Sequence, residues 1–344
     1  MSENPFSLNF GIEPNRMISR NNQIDEIVEG FKAASPSTYL YIITGVRGSG
    51  KTVTMASIMH RLKADKDWVT VSLNPNRDLL NGLAANLFEN PMLKPAFVKA
   101  DISFSLGVNV SLGVDAPEPD VEIKIKKMLS VLKNLGKKLL VAIDEVTNSS
   151  DLRAFASAYQ IFLYEGFPFF LIMTGLYDNV RSLQNEKSLT FLYRAPKLEL
   201  KPLGIQAMAN NYKDVFKTED DEALRMAKFT KGYSYAFQVL GYLKFKRQVP
   251  FEMLIPEFDE IMEEYAYEKI WSELSPKDRE IIHAIARNGG KMKVQEIIKA
   301  TKMTSSSFST YRRRLGKGGI LSTEEYGYCE ICLPRFKEIV NSWE

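Results

Sequence analysis

The chain has 344 residues, enough for two or three domains, and its 45% hydrophobic and 25% charged residues are typical of globular proteins. No apolar run approaches the roughly 20 residues of a membrane span, and the first residues lack the basic start and apolar core of a signal peptide. Because only two residues are cysteines, the composition suits a reducing compartment, and we expect a cytoplasmic protein that has no membrane partner.

The first predicted elements surround a glycine-rich loop. Asn22–Phe31 has apolar residues at helical spacing, and Ser37–Ile43 is rich in β-branched and aromatic residues, as in a buried strand. The loop Gly45–Thr52 then follows the pattern G-x-x-x-x-G-K-T, and Val53–Lys63 again shows helical spacing. Strand, loop and helix together favour a phosphate-binding loop (P-loop) over the alternative, a chance run of glycines before a helix.

Each residue type in this P-loop has a chemical use. Glycines let the backbone curve so that its N–H groups face a phosphate, and the start of a helix adds favourable partial charge. We expect Lys51 to reach the terminal phosphates and the hydroxyl of Thr52 to bind Mg²⁺. The predicted nucleotide-binding residues are Gly45, Val46, Arg47, Gly48, Ser49, Gly50, Lys51, Thr52 and Val53.

Beyond the P-loop, strands and helices continue to alternate. Trp68–Leu73 is a predicted strand, and Asp78–Phe88 and Val121–Leu135 are predicted helices. Residues 101–115 alternate apolar and small polar side chains, which predicts a hairpin, most simply at a sheet edge. The succession as a whole predicts an α/β fold with a parallel sheet.

An apolar strand that ends in two carboxylates supplies the second half of the predicted site. Lys138–Glu145 is hydrophobic on both faces up to Asp144, as in a parallel sheet. Asp144 suits the coordination shell of Mg²⁺, and Glu145 suits the orientation and deprotonation of an attacking water. The alternative is a pair of solvated acids at a strand end, but the preceding P-loop favours the functional interpretation.

Two further catalytic candidates lie later in this half of the chain. Thr174, at the end of the predicted strand Phe167–Gly175, either contacts the γ-phosphate or the water, or has its hydroxyl bonded by nearby backbone. Arg194 lies in an apolar, aromatic run before the predicted strand Lys197–Leu200. It is either a charge-stabilising finger on a nucleotide or a structural arginine stacked on an aromatic ring.

The next part of the chain is predicted to be helical. Residues 204–247 have the pattern of consecutive helices, and Pro256–Glu273 is a predicted acidic helix that connects them to the C-terminal region. We therefore predict three domains: a P-loop core over 1–203, a helical lid with its connecting helix over 204–274, and a C-terminal domain over 275–344.

The C-terminal region has the pattern of a winged helix-turn-helix. Ser275–Asp278 caps a first helix, Val294–Ala300 is a short second helix, and Thr304 or Ser305 caps a third. Two predicted strands then flank the turn Glu324–Gly327. Three helices followed by a hairpin are the parts of this DNA-binding fold.

The third of these helices is the predicted DNA-reading element. It offers hydroxyl residues at its start and three arginines further along, and residues 275–344 hold thirteen Lys and Arg against eight Asp and Glu. This net charge of +5 favours double-stranded DNA as the partner over the alternative, a winged helix that contacts only protein. The predicted DNA-binding residues are Ser306, Ser307, Thr310, Arg312, Arg313 and Arg314.

The C-x-x-C sequence at Cys329 and Cys332 lies on a predicted strand, where the spacing directs the two side chains to opposite faces. The chain has no second cysteine pair, and its only histidines are His60 and His283. We therefore expect ordinary packing of these cysteines rather than a zinc or redox site.

Together these residues resemble the AAA+ ATPases of the origin-recognition (initiator) branch and the related archaeal-type and STAND NTPases. The resemblance covers nearly the whole chain and rests on Pro14–Arg20, Gly45–Thr52, Leu140–Glu145, Thr174 as sensor 1, and the C-terminal winged helix. It departs at Gly232–Tyr235, which has neither the sensor 2 arginine of initiators nor the STAND proline, and at Ser19, which replaces a usual glycine.

The resemblance implies a P-loop NTPase fold of the AAA+ type, with a parallel sheet, a helical lid and a C-terminal winged helix. It implies ATP and Mg²⁺ as cofactors and a Mg²⁺-dependent, slow ATPase reaction that closes and resets the lid. Three outputs stay open: control of DNA binding as in initiators, docking of a protein partner as in STAND signalling or defence NTPases, or nucleotide binding with negligible turnover. A homo-oligomer is also possible for this class, with Arg194 acting within one chain or across subunits.

Overall fold

The computed structural model describes residues 3–9, 16–102 and 120–343. Its contacts divide the chain into two compact units. The first, here called the sheet unit, comprises Asn21–Thr44 and Thr54–Leu198. The second, here called the helical unit, comprises Met1–Arg20, Gly45–Val53 and Glu199–Glu344. The P-loop sequence thus groups with the helical unit, although the strand before it and most of the helix after it belong to the sheet unit.

Five strands of the described residues form one sheet, in the order β2-β3-β4-β1-β5. The pairs β1–β4, β2–β3 and β3–β4 are parallel, as the apolar runs predict. Every residue of β4 is buried. The strands are β1 (Leu40–Thr44), β2 (Trp68–Leu73), β3 (Lys138–Ile143), β4 (Phe169–Gly175) and β5 (Lys197–Glu199).

Helices cover this sheet, and several begin at side-chain caps. Asp78, Asp120 and Ser149 each accept a hydrogen bond from the first turn of the helix that follows. The helices are α1 (Asn21–Lys32), α2 (Lys51–Lys63), α3 (Leu79–Phe88), α4 (Lys94–Lys99), α5 (Val121–Asn134), α6 (Ser150–Tyr164), α7 (Tyr177–Gln184) and the 3-10 helix Lys187–Arg194. All but the first two residues of the hairpin predicted over 101–115 lie outside the described residues.

An aromatic cluster anchors α6 to the sheet. The ring of Phe169 on β4 packs edge-on against Tyr159 at 5.1 Å and stacks on Phe162 at 5.9 Å. The Tyr159 hydroxyl donates to the carbonyl oxygen of Tyr39 at 2.8 Å, so the one polar atom of this ring is satisfied inside the core. Burial raises the pKa of Tyr159 well above its usual value, which keeps that hydroxyl a donor.

The helical unit contains the predicted run of helices. They are α8 (Ile205–Phe216), α9 (Asp220–Phe229), α10 (Ser234–Arg247), the 3-10 helix Phe251–Leu254, α11 (Ile255–Met262), the π-helical turn Glu263–Tyr267 and α12 (Glu268–Glu273). Phe6 packs so closely on α10 that a Cβ atom on Gly241 would lie 2.4 Å from its ring. This close approach explains a glycine in the middle of a helix.

The C-terminal part of the helical unit contains the predicted helices and hairpin. Its elements are α13 (Pro276–Arg287), β6 (Lys291–Lys293), α14 (Val294–Ala300), α15 (Ser305–Lys317), β7 (Leu321–Ser322), β8 (Tyr328–Ile331) and α16 (Phe336–Ser342). The caps at Ser275 and Thr304 are both present. The antiparallel sheet β6-β8-β7 adds one strand, and α16 adds one helix, to what the sequence pattern predicted.

One continuous hydrophobic core joins α8–α12 to the C-terminal elements. The Tyr267 hydroxyl donates to the carbonyl oxygen of Pro334 at 2.6 Å, and Arg335 pairs with Asp259 at 2.6 Å. The domain boundaries at 203/204 and 274/275 stay predictions, since the contacts group these residues together. In the part of the chain that the structure describes, no helix is long and apolar enough to cross a membrane.

Candidate functional site

The P-loop has the backbone that its glycines predict. β1 ends at Thr44, the loop follows from Gly45, and α2 begins at Lys51. Gly48 and Gly50 have φ angles of 77° and 93°, a region that other residues rarely adopt. A Cβ atom on Gly48 would also lie 2.4 Å from the Tyr233 hydroxyl. Both backbone shape and neighbouring atoms therefore require glycine at this position.

Lys51 is held at the start of α2 by the loop itself. Its ammonium group donates to the carbonyl oxygens of Gly45 and Val46, each at 3.1 Å, and the residue is buried. The cation is thus already oriented along the P-loop. A phosphate bound by the loop would replace weak carbonyl acceptors with a charge-assisted partner.

The turn at residues 231–235, here called the lid turn, is bonded to the carbonyl side of the P-loop. The Tyr233 hydroxyl donates to the carbonyl oxygen of Arg47, the Tyr235 N–H donates to that of Gly48 at 3.1 Å, and the Ser234 hydroxyl to that of Ser49 at 3.1 Å. N–H and C=O point in opposite directions in a trans peptide. The N–H groups of the same three peptide units are therefore directed away from the lid turn.

The sequence pattern did not reveal this contact. In the sequence, Gly232–Tyr235 is a turn without the expected arginine or proline, whereas in the structure its tyrosines and serine supply three bonds to the P-loop. Burial raises the pKa of Tyr233 above its usual range and that of Tyr235 to about 12, so both hydroxyls stay protonated near neutral pH. The signal in the sequence was the pair of tyrosines around Ser234.

Two arginines add further support to the loop within the helical unit. Arg20 donates to the carbonyl oxygens of Lys201 at 2.8 Å and Ser49 at 3.4 Å, and burial lowers its pKa. Arg47 pairs with Glu273 of α12 at 2.8 Å. The P-loop is thus bonded to the preceding N-terminal segment and to the connecting helix.

In the sheet unit, the candidate acids lie where β3 and β4 end side by side. Asp144 and Glu145 follow β3, and Thr174 is the penultimate residue of β4. The Thr174 hydroxyl donates to Asp144 Oδ1, and the Glu145 N–H donates to Asp144 Oδ1 and to Thr174 Oγ1, both at 3.1 Å. The structure therefore brings together three of the predicted catalytic and metal-binding residues.

Glu145 has an unusual backbone that this cluster supports. Its φ angle is 52°, a left-handed conformation that costs a non-glycine residue about 1 kcal/mol. Its side chain is exposed, while Thr174 is completely buried. The hydroxyl of Thr174 thus orients the Asp144 carboxylate and the backbone N–H of Glu145. A contact of Thr174 with nucleotide stays a prediction.

A magnesium ion fits the donors that are present. In the described ranges, no group of three or more His, Cys, Asp or Glu side chains is arranged to hold a metal ion. Mg²⁺ in nucleotide sites is held by one or two carboxylates together with substrate phosphates and water, and needs no such group. Asp144, oriented by two hydrogen bonds, has the chemistry of the single carboxylate ligand.

Arg194 ends the 3-10 helix Lys187–Arg194 and is exposed. In the described part of the chain, its guanidinium makes no hydrogen bond or ion pair. The ammonium group of Lys197, rather than Arg194, lies over the neighbouring Tyr193 ring, 5.9 Å from the ring centroid. The geometry therefore leaves the guanidinium accessible to a partner. Whether it acts as a finger stays a prediction.

The candidate DNA-binding residues occupy different environments on α15. Arg314 pairs with the buried carboxylate of Asp278 and donates to the Ser275 hydroxyl at 3.0 Å, and Arg312 donates to the carbonyl oxygen of Thr323 at 3.4 Å. Both of these arginines serve the packing of the C-terminal elements. The exposed candidates are Ser306, Ser307, Thr310 and Arg313.

Comparisons with known proteins place the fold. Three solved structures match nearly the whole chain: a Walker-type ATPase of Pyrococcus abyssi (17% identity, 94% of this chain and 96% of that one, TM-score 0.65), the ORC2 protein of Aeropyrum pernix (14%, 97% and 96%, 0.62) and Cdc6p of Pyrobaculum aerophilum (15%, 99% and 97%, 0.51). The chain therefore has the α/β fold of P-loop NTPases with a C-terminal helical domain. This confirms the predicted fold class.

Sequence comparisons add little to this. Residues 264–340 match a family described as a domain of unknown function, DUF8462. No curated protein matches the chain.

Proposed function

We propose that the protein is an ATP-binding and ATP-hydrolysing switch. The observation that carries the proposal is the set of three hydrogen bonds from Tyr233, Ser234 and Tyr235 to consecutive carbonyls of the P-loop. Within the helical unit they tie the loop that would hold the phosphates to the start of α10, so a change of loop shape on nucleotide binding is passed to α10 directly. The similar proteins support the nucleotide, since one is described as an ATPase and the ORC2 protein was solved in ADPNP-ADP complexes.

The predicted site residues divide the chemistry as follows. Backbone N–H groups of the P-loop and the Lys51 ammonium bind the phosphates. Thr52 and Asp144 are the residues that would hold Mg²⁺, whose charge would offset that of the phosphates. Glu145 orients and deprotonates the attacking water, and Thr174 fixes the Asp144–Glu145 backbone. Arg194 supplies positive charge to the nucleotide, within one chain or in a homo-oligomer.

We further propose that the C-terminal elements form a winged helix that binds double-stranded DNA. The order helix, strand, two helices and two strands fits this fold, with α15 as the helix placed in the groove. The net charge of +5 over residues 275–344 and the exposed Arg313 support phosphate contacts. In this proposal ATP and its hydrolysis alternate the C-terminal elements between two positions and so control DNA binding.

One observation favours a second function, in which the winged helix docks a protein. The hairpin turn carries Glu324, which would repel a phosphate backbone, and Glu325, which pairs with Lys291 of β6. Tyr326 at the tip of the turn is 98% exposed. An exposed aromatic residue beside charged ones is typical of a protein-docking surface. This function corresponds to the signalling or defence NTPases named above.

One experiment tests the switch and separates the two outputs. ATP hydrolysis is measured with and without duplex DNA, and DNA affinity is measured with ATP, with ADP and without nucleotide over a range of salt concentrations. The switch predicts a nucleotide-dependent DNA affinity whose logarithm falls linearly with the logarithm of salt concentration. Hydrolysis with no salt-dependent DNA binding favours the protein-docking function, and absence of nucleotide binding rejects the proposal.

A further inference from the structure

A cleft of about 930 Å³ lies within the helical unit. One wall consists of P-loop residues, the segment Glu199–Pro202 and the lid turn. The other wall consists of α15 and the hairpin β7–β8. The face of α15 that would read DNA in the proposed function therefore faces this cleft in part.

Charged side chains of α15 project along the cleft. Ser309, Arg313 and Lys317 succeed one another at four-residue intervals, so they lie along one face of the helix, and all three are exposed. Residues spaced in this way on a recognition helix meet the same DNA groove. Lys317, at the end of the helix, is the residue suited to a backbone phosphate.

A carboxylate of the same unit already occupies the phosphate-binding end of this face. Lys317 Nζ lies 2.8 Å from Glu199 Oε2, and the two side chains are 49% and 40% exposed. A carboxylate and a phosphate oxygen offer the same kind of anionic acceptor to an ammonium group. A DNA phosphate at this position must therefore displace Glu199.

Other contacts hold the two walls of the cleft together. A Cβ atom on Gly319, just after α15, would lie 3.2 Å from Cβ of Val46 in the P-loop. Lys231 of the lid turn donates to the carbonyl oxygen of Ile331 on β8 at 3.0 Å. The end of α15 and the hairpin are thus packed directly against the P-loop and the lid.

We propose that Glu199 is an intramolecular competitor of DNA, and that its ion pair with Lys317 holds the DNA-reading face of α15 against the cleft. The proposal rests on the proposed function, since it names the regulation of the same DNA-binding face. Opening of the cleft exposes Lys317 to a phosphate and separates Gly319 from Val46. Nucleotide bound to the P-loop acts on the contact between Val46 and Gly319 from the side of Val46.

The ion pair is a weak latch that other charges can displace. Pairs between exposed side chains contribute about 0.2–1 kcal/mol, which corresponds to a factor of about 1.5 to 5 in an equilibrium constant. Removal of the Glu199 charge is expected to strengthen duplex binding by a factor in this range. The gain should disappear at high salt, where the exposed pair is screened.

The first test is duplex binding by Glu199→Gln, with Glu280→Gln as the matched control. Glu280 pairs with Lys277 at 2.5 Å on α13, so both variants remove one charge from an exposed Lys–Glu pair. Glu199→Gln should bind about 1.5-fold to fivefold more tightly than the wild type, and Glu280→Gln should not. In a Lys317→Ala background the effect of Glu199→Gln should vanish. Equal effects of the two glutamine variants would overturn the latch.

A second readout needs no DNA. Cys332 lines the cleft, and burial raises the pKa of its thiol to about 12, so it reacts slowly with thiol reagents. Opening of the cleft should raise its labelling rate about 1.5-fold to fivefold in Glu199→Gln and leave Glu280→Gln at the wild-type rate. Unchanged labelling in Glu199→Gln rejects the latch. Faster labelling in a protein that binds no duplex supports the latch and rejects DNA as the partner.

Discussion

The backbone N–H of Tyr235 donates to the carbonyl oxygen of Gly48, 3.1 Å away, and so joins the start of α10 to the middle of the P-loop. The Tyr233 hydroxyl makes the neighbouring bond, to the carbonyl oxygen of Arg47. Neither bond involves a charged side chain. The lid turn therefore fixes the shape of the loop rather than adding charge to a phosphate.

Tyr233→Phe is expected to weaken nucleotide binding about threefold to tenfold. The substitution removes one hydrogen bond to the P-loop, worth about 0.5–1.5 kcal/mol, and keeps the ring in place. Calorimetric titration with ATP and ADP measures the change. The matched control is Tyr212→Phe, whose buried hydroxyl donates to the carbonyl oxygen of Phe237 at 2.8 Å. A similar loss of affinity in both variants would make the effect one of general stability.

Lys51→Ala is expected to abolish detectable nucleotide binding and leave the fold intact. The ammonium group donates to the loop carbonyl oxygens of Gly45 and Val46, and the substitution shortens a side chain at the start of a helix, where alanine is well tolerated. Binding is measured by titration and folding by thermal denaturation. Lys63→Ala, at the exposed end of the same helix, should bind normally. A Lys51→Ala variant that hydrolyses ATP at the wild-type rate would remove the P-loop assignment.

Glu145→Gln is expected to keep ATP bound and to stop its hydrolysis. The amide has the size of the carboxylate but does not accept the proton of water, and the backbone bonds of Glu145 to Asp144 and Thr174 do not depend on its side chain. Single-turnover measurements separate binding from hydrolysis. Glu165 follows the last residue of α6 and pairs with Lys126 of α5, so Glu165→Gln is the control. Normal turnover in Glu145→Gln would require another residue to orient the water.

The sequence predicted those parts of the structure that depend on local pattern. A few neighbouring residues are enough to predict the glycine positions of the P-loop, the caps at Ser275 and Thr304, and the apolar strand before Asp144. The strand β6 and the helix α16 were missed because Lys291–Lys293 is short and polar, and Phe336–Ser342 is only seven residues long. Short elements of this kind are stabilised by tertiary packing rather than by their own periodicity.

The remaining features depend on residues far apart in the chain. Tyr233 and Arg47 are 186 residues apart, and Lys317 and Glu199 are 118 apart. No local pattern indicates which distant partner a tyrosine or a lysine will meet. The left-handed backbone of Glu145 was equally hidden, because it is supported by the Thr174 hydroxyl on the neighbouring strand. The candidate site was therefore predicted as a set of residues but not as a bonded arrangement.

Arg194→Ala is expected to lower ATP turnover about a thousandfold, the usual effect of removing an arginine finger, with little change in ATP affinity. Steady-state hydrolysis at saturating ATP is the measurement. Lys187→Ala, an exposed cation at the other end of the same 3-10 helix, should turn over normally. Activity that returns when Arg194→Ala is mixed with Glu145→Gln indicates action across subunits, and no return indicates action within one chain. Unchanged turnover would leave Arg194 without a catalytic role.

The last prediction separates the arginines of α15 by their surroundings. Arg313 is exposed, so Arg313→Ala should leave the stability of the protein unchanged. It should weaken duplex binding and reduce the slope of log affinity against log salt concentration by about one, the value for one lost phosphate contact. Arg314 pairs with Asp278, which is only 2% exposed. Arg314→Ala should therefore destabilise the protein by about 1–3 kcal/mol, because it leaves a buried carboxylate without its cation.

The two variants act as controls for each other. Denaturant unfolding measures stability, and DNA affinity is measured at several salt concentrations under conditions in which both variants are folded. The folded Arg314→Ala protein is expected to keep the wild-type salt slope, because the guanidinium of Arg314 in the wild type faces Asp278 rather than the groove. If Arg313→Ala and Lys317→Ala both keep the affinity and the slope of the wild type, α15 does not contact phosphates. The exposed face of α15 and the acidic turn beside Tyr326 would then belong to a protein-docking surface.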